Sequence, residues 1–583
     1  MHVNKEDFSD WTDSFLPNFR GDTKRRSSSI WTPTFLSAIC IILFFILFLR
    51  LFTLQIVQGR VNRELADSNR IKVKIIHAPR GVIFDRNGKI LAANSPAFRL
   101  KKKLITREEA LELEVKNDPG ISELEVDNVR SYPMGEELAH VIGYVGQISD
   151  QQLKNPLYKH YSTGDRIGQA GVEAQYESVL RGIDGGEIIE VDSKGKKLRT
   201  LRLNSPIPGQ NVYLTIDASL QDKIYSLMKD ALVKVSSCCG AAVAMDPNNG
   251  QILALLSFPS FDPNLFTKNQ DEAGITDIFS RTDSPILNRA ISGAYPPGST
   301  FKIVTSLAAL TSGKVTPQTL VQDNGVMYLG TFKFTNWYFT QYGKTEGPVD
   351  LNKAIKRSND TYFYWVGQTL GEKYLGDFAK KLLLGSKLGI DLPGEISGLI
   401  PDNDWKKKTF GEVWYPGDTL HMAIGQGYVL TTPLQVLGMT AYIAGEGKLY
   451  KPHLLIEFKP KLLLSNLTDP KWVKLVAQGL EEVPKEGGTA WPFFSFPIST
   501  AGKTGTAEYG DPKNRTHGWY TSYAPSNDPK IAMTVLVEGG GEGSTVAAPI
   551  VKEAYRWYFS PDKNKLIQDV SSSATESGKT LGE

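Results

Sequence analysis

The hydrophobic pattern of the chain begins with one long apolar segment near the N-terminus. No charged residue lies between Arg26 and Arg50, and Ile30 to Leu49 is almost entirely apolar. As a helix, about 20 apolar residues cross roughly 30 Å of hydrocarbon. The pattern therefore predicts a membrane-spanning helix over residues 30–50. No small-residue cleavage site follows the segment, which favours an uncleaved anchor over a removed signal peptide.

Basic residues on one side of this segment predict the orientation of the chain. Lys24, Arg25 and Arg26 directly precede it, and basic residues beside a membrane span tend to stay in the cytoplasm. We therefore expect residues 1–29 to form a cytoplasmic tail. The chain after the helix would then lie outside the membrane, as the large part of a single-pass protein.

After the anchor, the alternation of polar and apolar positions predicts a β-rich first part. Residues 51–77 predict a helix that leaves the membrane, followed by a strand. In Ala78–Asn94, apolar stretches flank the polar turn Asp85–Gly88, which is typical of a β-hairpin. Residues 95–130 are charged and only weakly periodic, so no element is assigned there.

A second, larger part opens with another strand–turn–strand pattern at residues 240–258. Helical patterns follow at residues 301–310 and 432–445, and strand patterns near the end cover residues 500–509 and 531–540. Strands at both ends of a region, with helices between them, predict an α+β domain whose sheet pairs its first and last strands.

Composition excludes several classes of protein. Of the 583 residues, 41% are hydrophobic and 22% are charged, which is typical of a globular chain rather than a disordered one. The net charge of +3 gives no basic surface that would indicate nucleic acid. Cys40, Cys238 and Cys239 match no metal or redox motif, and we expect the adjacent pair to lie in the core. Residues 559–583 are polar and Ser-rich, which predicts a disordered tail.

The first candidate for chemistry is a serine followed three residues later by a lysine. On a helix these positions share a face, so the amine can act as a base for the hydroxyl. The pattern occurs at Ser193, Ser226, Ser299 and Ser560. Among these, only Ser299 follows a helix breaker, Tyr295–Gly298, and opens an apolar helix. A helix N-terminus favours developing negative charge, so Ser299 is the predicted nucleophile, although a plain N-cap serine would have the same surroundings.

Two further motifs follow in order. Ser358-Asn359-Asp360 precedes an aromatic helical stretch, and Lys503–Thr506 (KTGT) lies in a predicted strand whose glycines allow close backbone approach. The order Ser-x-x-Lys, then a polar Ser-x-Asn type triplet, then Lys-Thr-Gly is the signature set of penicillin-binding proteins and serine β-lactamases.

With these motifs the chain resembles the class B penicillin-binding proteins from about residue 50 to residue 558. RGVIFDRNG at Arg80–Gly88 and IGQGYVLTTPLQ at Ile424–Gln435 belong to the resemblance. Within the class, YPPGSTFK, GDRIGQAGVEAQYE and Asp360, where most relatives have Asn, resemble the elongation type, the penicillin-binding protein 2 branch.

The resemblance implies a fold and its division into domains. We expect an α+β protein with one N-terminal transmembrane helix, an elongated β-rich pedestal over residues 51–215, and a transpeptidase domain over residues 216–558. That domain would have an antiparallel sheet flanked by helices, as in serine β-lactamases. The stretch Asn94–Tyr132 is shorter than usual in this branch, so the head of the pedestal would be short.

The resemblance also assigns catalytic roles in a D,D-transpeptidase. Ser299 would attack the D-Ala-D-Ala bond of a stem peptide, Lys302 would be its base, and Ser358 would relay the proton to the leaving amine. A lysine amine has a pKa of about 10.4 in water, so burial and a second cation, for which Lys503 is the candidate, must lower it. Asp360 would oppose this if ionised, and the sequence leaves the balance open.

Other residues of the motifs would bind the substrate. The backbone N–H groups of Ser299 and Thr506 would form the oxyanion hole, and the hydroxyls of Thr504 and Thr506 would hold the terminal carboxylate of the substrate. Gly505 and Asn359 complete the expected substrate-binding set. Some elongation-type members bind zinc beside the active site through Asp, His and Cys, but residues 322–360 contain no His or Cys. We therefore expect no metal and no cofactor.

The implied function is the cross-linking of peptidoglycan stem peptides during cell-wall elongation, through a serine acyl-enzyme that β-lactams also form. Three alternatives stay open: a division-type transpeptidase, a membrane-anchored β-lactamase, and a noncatalytic β-lactam sensor or scaffold. The implied partners are glycan strands, a SEDS-type membrane glycosyltransferase and scaffold proteins of the elongation complex, with no nucleic acid. The implied location is the cell (inner) membrane, with the catalytic domain periplasmic or extracellular.

A few other residues allow structural predictions. Arg80 and the pair Asp85-Arg86 are expected to fix the pedestal through buried ion pairs. His517 and Trp519 are expected to pack rather than to react. The aromatic side chains of Trp337, Tyr338 and Tyr342 could line a glycan groove or form a surface cluster, and both interpretations stay open.

Overall fold

The apolar segment near the N-terminus forms a helix, as predicted. In this computed structural model the described residues are 31–100, 103–105, 107–116, 124–192, 197–267 and 272–560. The helix continues through a π-helical turn, Thr53–Val57. By length and composition, Thr34–Val57 is apolar enough to cross a membrane. The predicted cytoplasmic tail, and the predicted disordered tail beyond residue 560, lie outside the described residues.

The helices and strands are numbered in chain order. The helices are α1 (Trp31–Phe52), α2 (Gly59–Arg70), α3 (Arg107–Val115), α4 (Ala139–Ile142), α5 (Asp150–Leu153), α6 (Gly171–Gln175), α7 (Glu177–Leu180), α8 (Ala218–Lys234), α9 (Glu272–Ser280), α10 (Arg289–Ser292), α11 (Lys302–Thr311), α12 (Trp337–Tyr342), α13 (Leu351–Arg357), α14 (Asp360–Leu370), α15 (Glu372–Lys381), α16 (Asn403–Phe410), α17 (Pro416–Ala423), α18 (Pro433–Ala444), α19 (Pro470–Glu482) and α20 (Gly543–Tyr558). The strands are β1 (Ile71–Ile76), β2 (Ile83–Phe84), β3 (Ile90–Leu100), β4 (Lys103–Ile105), β5 (Leu124–Ser131), β6 (Val145–Gln147), β7 (Arg166–Gly168), β8 (Gly185–Val191), β9 (Lys197–Asn204), β10 (Val212–Tyr213), β11 (Gly240–Met245), β12 (Ile252–Phe258), β13 (Val321–Asp323), β14 (Val326–Leu329), β15 (Phe332–Thr335), β16 (Gly347–Val349), β17 (Lys448–Tyr450), β18 (Leu462–Ser465), β19 (Ala501–Glu508), β20 (Thr516–Ala524) and β21 (Ile531–Val537).

The chain divides into two compact units. The first unit comprises the chain up to Ile75 together with Gly186–Asn204. It contains α1, α2 and a three-stranded sheet of order β1-β8-β9. In this sheet Glu190 accepts a charge-assisted hydrogen bond from Arg199 at 2.6 Å. The second unit holds the rest of the chain, from Ile76 to Gly185 and from Ser205 onward.

The second unit begins with the predicted hairpin, which the structure confirms as β2 and β3. These strands belong to a sheet of order β10-β2-β3-β4, with β5 paired to β3. The Asp85 carboxylate closes the turn by accepting the backbone N–H groups of Asn87 and Lys89 at 2.8 and 2.7 Å. Arg86 donates to Gln251 at 3.4 Å. The predicted ion pairs of Asp85 and Arg86 were therefore wrong, because backbone donors satisfy this carboxylate instead.

The predicted ion pair of Arg80 is confirmed and belongs to a buried cluster around Glu173. Arg80 and Arg130 both donate to the Glu173 carboxylate, at 2.5 and 2.6 Å. The Glu173 side chain is fully buried. Burial raises the pKa of its carboxyl, but the two guanidinium groups outweigh burial and hold the pKa below its ordinary value. A carboxylate in this position is stable only while both cations stay in place.

The largest part of the second unit is built on an antiparallel sheet of order β12-β11-β21-β20-β19. The first strands of the region, β11 and β12, are thus joined to its last strands, as predicted. Strands β11, β12 and β21 are buried along their whole length, so helices cover both faces. Helices α8 and α20 pack on each other and on one face, and α18 packs on the other. Strand β19, which carries the KTGT motif, lies at an edge of the sheet.

The two adjacent cysteines differ from the prediction in one respect. Cys239 is buried beside the start of β11, as expected, but Cys238 is exposed and the two form a disulfide with each other. The Cys239 sulfur also accepts a contact from Arg289 at 3.7 Å. The sequence interpretation missed this disulfide because it treated adjacent cysteines as packing residues.

We expect Glu173→Gln to lower the free energy of unfolding by about 3–5 kcal/mol, since it leaves the buried Arg130 guanidinium without its counter-ion, whereas Arg80 keeps Glu177 at 2.7 Å. The urea midpoint of the full chain in detergent micelles measures this. As a matched control, Glu553→Gln removes an exposed carboxylate paired with Arg556 and should cost less than about 1 kcal/mol. Equal midpoints for the two variants would contradict a buried, charge-dependent cluster.

Candidate active site

Residues from all three sequence motifs meet at one crevice. Its cavity has a volume of about 710 Å³, and its lining includes Ser299, Ser358, Asp360, Thr504 and Thr506. These residues are up to 207 positions apart in the sequence, since 506 − 299 = 207. The fold therefore brings together groups that the sequence could only place in order.

Ser299 lies at the start of a helical segment that packs tightly on β19. A 3-10 turn, Gly298–Phe301, leads directly into α11. Gly298 has a φ of +53°, and a Cβ at this residue would approach the Thr506 carbonyl oxygen to 2.8 Å. A Cβ at Gly505 would approach the Pro297 carbonyl oxygen to 3.1 Å. Glycine at both positions therefore allows Ser299 to lie beside the KTGT strand.

The amine of Lys302 is buried and has three acceptors. Its side chain is fully buried. The amine donates to Asp360 Oδ1 at 2.6 Å, to the Ser358 carbonyl oxygen at 2.7 Å and to Ser358 Oγ at 3.3 Å. Three acceptors match the three N–H donors of an ammonium group. This arrangement links the first motif directly to the second.

Burial dominates the electrostatics of both motif lysines. Burial lowers the pKa of Lys302, and the Asp360 carboxylate opposes this without offsetting it. Burial and the charge of Lys302 hold the pKa of Lys503 well below its ordinary range, again against Asp360. The sequence interpretation made Lys503 the cation that lowers the pKa of Lys302. That role stays a prediction; Lys503 is itself fully buried, and the charges of the two amines interact.

Ser358 has a backbone conformation that few non-glycine residues adopt. It ends α13 with a φ of 52° and a ψ of 40°, in the left-handed region. Such a conformation costs on the order of 1 kcal/mol and is often found at functional sites. It turns the chain between α13 and α14 so that both the carbonyl and the hydroxyl oxygen of Ser358 face the Lys302 amine.

Asn359, a predicted substrate-binding residue, lies away from the crevice. Its side chain is fully buried. Its amide oxygen accepts the Tyr362 N–H at 2.8 Å and so caps α14, while its amide nitrogen donates to Asp323 at 2.9 Å. The side chain therefore caps the helix N-terminus, and a contact of Asn359 with substrate stays a prediction. Gly505 is also buried, and its role is the close packing against Pro297 described above.

Asp323 is a residue of this site that the sequence interpretation missed. Its buried carboxylate accepts hydrogen bonds from the side chains of Asn336, Asn359 and Thr361 at 3.0, 2.9 and 2.7 Å. It also accepts backbone N–H groups from two residues, Gly325 and Glu346. These hydrogen bonds hold the pKa of Asp323 below its ordinary value despite burial, which raises it. Asp323 therefore positions the Ser358–Asp360 turn, although no local sequence motif marks it.

The KTGT strand presents alternate side chains to the crevice. Thr504 and Thr506 both line it, as expected for positions two apart on a strand. The Thr504 hydroxyl contacts the Thr489 hydroxyl at 2.7 Å. The Lys503 side chain is fully buried, and its amine donates to the Thr504 carbonyl oxygen at 3.1 Å.

Three aromatic residues, Trp337, Tyr338 and Tyr342, form a wall that borders the crevice beside Asp360. The Trp337 N–H donates to Asp360 Oδ2 at 3.0 Å, and its indole N–H donates to the Arg357 carbonyl oxygen at 2.9 Å. The Arg357 guanidinium lies 4.9 Å from the centre of the Tyr338 ring. Trp337 and Tyr342 line the crevice itself. The wall thus forms part of the site and helps to hold the Asp360 carboxylate.

His517 and Trp519 pack, as predicted. Trp519 is fully buried and donates its indole N–H to the Pro296 carbonyl oxygen at 3.0 Å. His517 is buried, its Nδ1 accepts the Gly539 N–H at 3.1 Å, and its ring stacks on the Tyr509 ring. Within the described ranges, no group of three or more His, Cys, Asp or Glu residues could hold a metal ion.

We expect Asp323→Ala to lower the free energy of unfolding by about 3 kcal/mol, because buried donors of Asn336, Asn359 and Thr361 lose their acceptor. The urea midpoint of the full chain measures this change. The matched control is Asp528→Ala, which removes an exposed carboxylate paired with Lys530 and should cost less than about 1 kcal/mol. If Asp323→Ala were as stable as the control, Asp323 would not organise the site.

Comparisons with known proteins agree with this geometry. The family described as "Penicillin binding protein transpeptidase domain" matches residues 240–556, and "Penicillin-binding Protein dimerisation domain" matches residues 100–214. The chain is 32% identical to the peptidoglycan D,D-transpeptidase MrdA of Haemophilus influenzae, over 88% of this chain and 89% of that one.

Two solved structures extend the likeness. The penicillin-binding protein PBP2 in its complex with MreC from Helicobacter pylori is 30% identical, with a TM-score of 0.72, covering 84% of this chain and 98% of that one. A chain of a peptidoglycan synthase complex, described for its structural coordination of polymerization and crosslinking, is 32% identical, with a TM-score of 0.73, covering 90% and 98%. The chain therefore belongs to the penicillin-binding protein transpeptidase family.

Proposed function

We propose that this chain is an elongation-type peptidoglycan D,D-transpeptidase, which cross-links stem peptides through an acyl-enzyme on Ser299. The observation that carries the proposal is the crevice in which Ser299, Ser358 and the KTGT strand meet, with the buried amine of Lys302 3.3 Å from the Ser358 hydroxyl. The relatives that match along nearly their whole length carry the same activity in their names.

Acylation is the first half of the reaction. The Ser299 hydroxyl loses its proton to the Lys302 amine, and its oxygen attacks the carbonyl carbon between the two D-Ala residues. The C–N bond then breaks, and the leaving D-Ala amine takes a proton by way of the Ser358 hydroxyl, which lies 3.3 Å from the Lys302 amine. Lys302 must be neutral at the start, and burial favours this because it disfavours the charged form.

The KTGT strand supports the transition state and the substrate. The backbone N–H groups of Ser299 and Thr506 stabilise the oxyanion, and losing one such donor typically costs about 10²–10³ in rate. The hydroxyls of Thr504 and Thr506, with Lys503, hold the terminal carboxylate. Because β19 is an edge strand, an extended peptide can pair with its free side. In the second half, an amine of a neighbouring stem peptide attacks the acyl-enzyme, forms the cross-link and releases Ser299.

The setting of the enzyme follows from the anchor and from its relatives. The helix Trp31–Phe52 would hold the chain in the inner membrane with its N-terminus in the cytoplasm and the crevice outside. A PBP2 relative is known in complex with MreC, and another similar chain is part of a peptidoglycan synthase complex. We assign this chain comparable partners, a scaffold protein of the elongation complex and a SEDS-type glycosyltransferase. Residues 51–215 would be the pedestal and residues 216–558 the transpeptidase domain.

We expect the full chain to gain one covalent adduct when incubated with a labelled penicillin, and Ser299→Ala to abolish it, because Ser299 opens the Ser-x-x-Lys motif in this crevice and is the proposed nucleophile. Intact-mass spectrometry measures the adduct. Ser544→Ala is the matched control, since Ser544 also lines the crevice and should leave the adduct in place. Persistence of the adduct in Ser299→Ala would contradict the proposal, and rapid loss of it from wild type would favour a β-lactamase.

We expect Asp360→Asn to move the pH dependence of acylation to lower pH. The Asp360 carboxylate favours the charged form of Lys302 and so raises the pKa of its amine. Without that charge the pKa falls further, and the neutral amine is present at lower pH. The measurement is the second-order rate constant of penicillin acylation as a function of pH.

The control for this experiment is Glu542→Gln. Glu542 also lines the crevice, but its carboxylate accepts from Gln341 at 2.7 Å and does not contact Lys302. Its pH profile should match that of wild type. A profile of Asp360→Asn that stays in place or moves to higher pH would show that Lys302 is not the group that titrates.

A further inference from the structure

A second cavity adjoins the catalytic crevice at the far end of the KTGT strand. It has a volume of about 470 Å³, and its lining includes Pro296, Gln426, Glu508, Tyr509 and His517. Gln426, Gly427 and Glu508 line both this cavity and the crevice. Glu508 therefore stands at the boundary between the two spaces.

Glu508 follows Thr504 and Thr506 on the same face of β19. Side chains two positions apart on a strand point to the same side, and all three residues line the crevice. At about 3.4 Å per residue, Glu508 lies roughly 7 Å along the strand from Thr506. The strand thus presents two hydroxyls and then one carboxylate along the path of a bound peptide.

The carboxylate of Glu508 is free to bind a cation. In the part of the chain that the structure describes, no group hydrogen-bonds or ion-pairs with this carboxylate, and the side chain is exposed. Its histidine neighbours do not supply a counter-ion. Burial lowers the pKa of His421 although Asp418 and Glu508 oppose it, and burial lowers the pKa of His517 to about 4. Both rings are therefore neutral near pH 7.

The direction of the substrate places a particular group at this carboxylate. In the proposed function the terminal carboxylate lies at Thr504 and the scissile carbonyl at the Thr506 N–H. A peptide that continues as an extended strand along β19 then brings the residue before the D-Ala-D-Ala pair to Glu508. The cavity beyond Glu508 is large enough for a long side chain, and its walls carry no other carboxylate.

We propose that Glu508 and this cavity form a subsite for the donor stem peptide, in which the carboxylate binds an ammonium group on the side chain of the residue that precedes D-Ala-D-Ala. This inference rests on the proposed function and adds the chemical class of the donor to it. Stem peptides whose residue at this position carries a free amine are the preferred donors. Donors in which this amine is acylated react more slowly.

The test uses two penicillins that differ only at the end of the acylamino side chain, which takes the place of that residue. In one the side chain ends in a primary amine, and in the other the same amine is acetylated. The readout is the ratio of their second-order rate constants for acylation of the full chain in detergent micelles. With no acceptor present, the ratio reports on the donor site alone.

For wild type we expect the penicillin with the free amine to react about tenfold faster, as a charge-assisted hydrogen bond would give. Glu508→Gln should bring the ratio close to one, and Glu508→Lys should invert it, because two ammonium groups would then repel each other. The matched control, Glu542→Gln, removes a carboxylate on another wall of the crevice and should keep the ratio of wild type.

A wild-type ratio near one, or a ratio that persists in Glu508→Gln, would overturn the subsite. If the enzyme recognised an ammonium group only on the acceptor stem peptide, the wild-type ratio would also be near one, because acylation takes place before the acceptor binds. Failure of the proposed function has a different signature, since neither penicillin would then form an adduct on Ser299. The amount of adduct that the acetylated penicillin forms at completion gives the concentration of folded, reactive enzyme in each variant. Each rate constant is calculated with that concentration.

Discussion

The contact between the Lys302 amine and the Asp360 carboxylate, at 2.6 Å in a fully buried position, is the constraint on which the site depends. A buried ammonium is costly unless it is paired, so the first two motifs must stay together for the domain to be stable. The same burial lowers the pKa of the amine, which a catalytic base requires. The same contact therefore affects both stability and reactivity. Asp360 holds the Lys302 amine in place and limits how far burial lowers its pKa.

Residues around the Lys302–Asp360 contact hold the neighbouring segments in place. The Asp323 carboxylate gathers donors from Asn336, Asn359 and Thr361, and thereby fixes the turn that carries Ser358. Gly298 and Gly505 let the Ser299 turn and β19 approach more closely than any larger residue would permit. Since β19 is an edge strand, the side of the crevice opposite the lysines stays open to a peptide. The buried polar groups and the free edge of β19 therefore meet at Ser299.

Sequence alone predicted the parts of this arrangement that leave a local pattern. Periodicity and turn residues predicted the apolar anchor, the hairpin at Asp85, the helix after Ser299 and the sheet that pairs β11 with β21. Motif order predicted which residues would meet at the crevice. Roles that depend on distant partners were not predictable. Asn359 caps a helix, and Asp323 accepts hydrogen bonds from segments up to 38 residues away. The full burial of both motif lysines was not predictable either, because burial depth is not visible in sequence.

The most direct test of this account is the position of the covalent bond in the wild-type chain after reaction with a labelled penicillin. Trypsin cleavage after Arg289 and Lys302 yields a peptide, residues 290–302, that contains Ser292, Ser299 and Thr300. Fragmentation by tandem mass spectrometry distinguishes these hydroxyls. The account predicts the added mass on Ser299. An adduct on either of the other two hydroxyls, or on a different peptide, would contradict it.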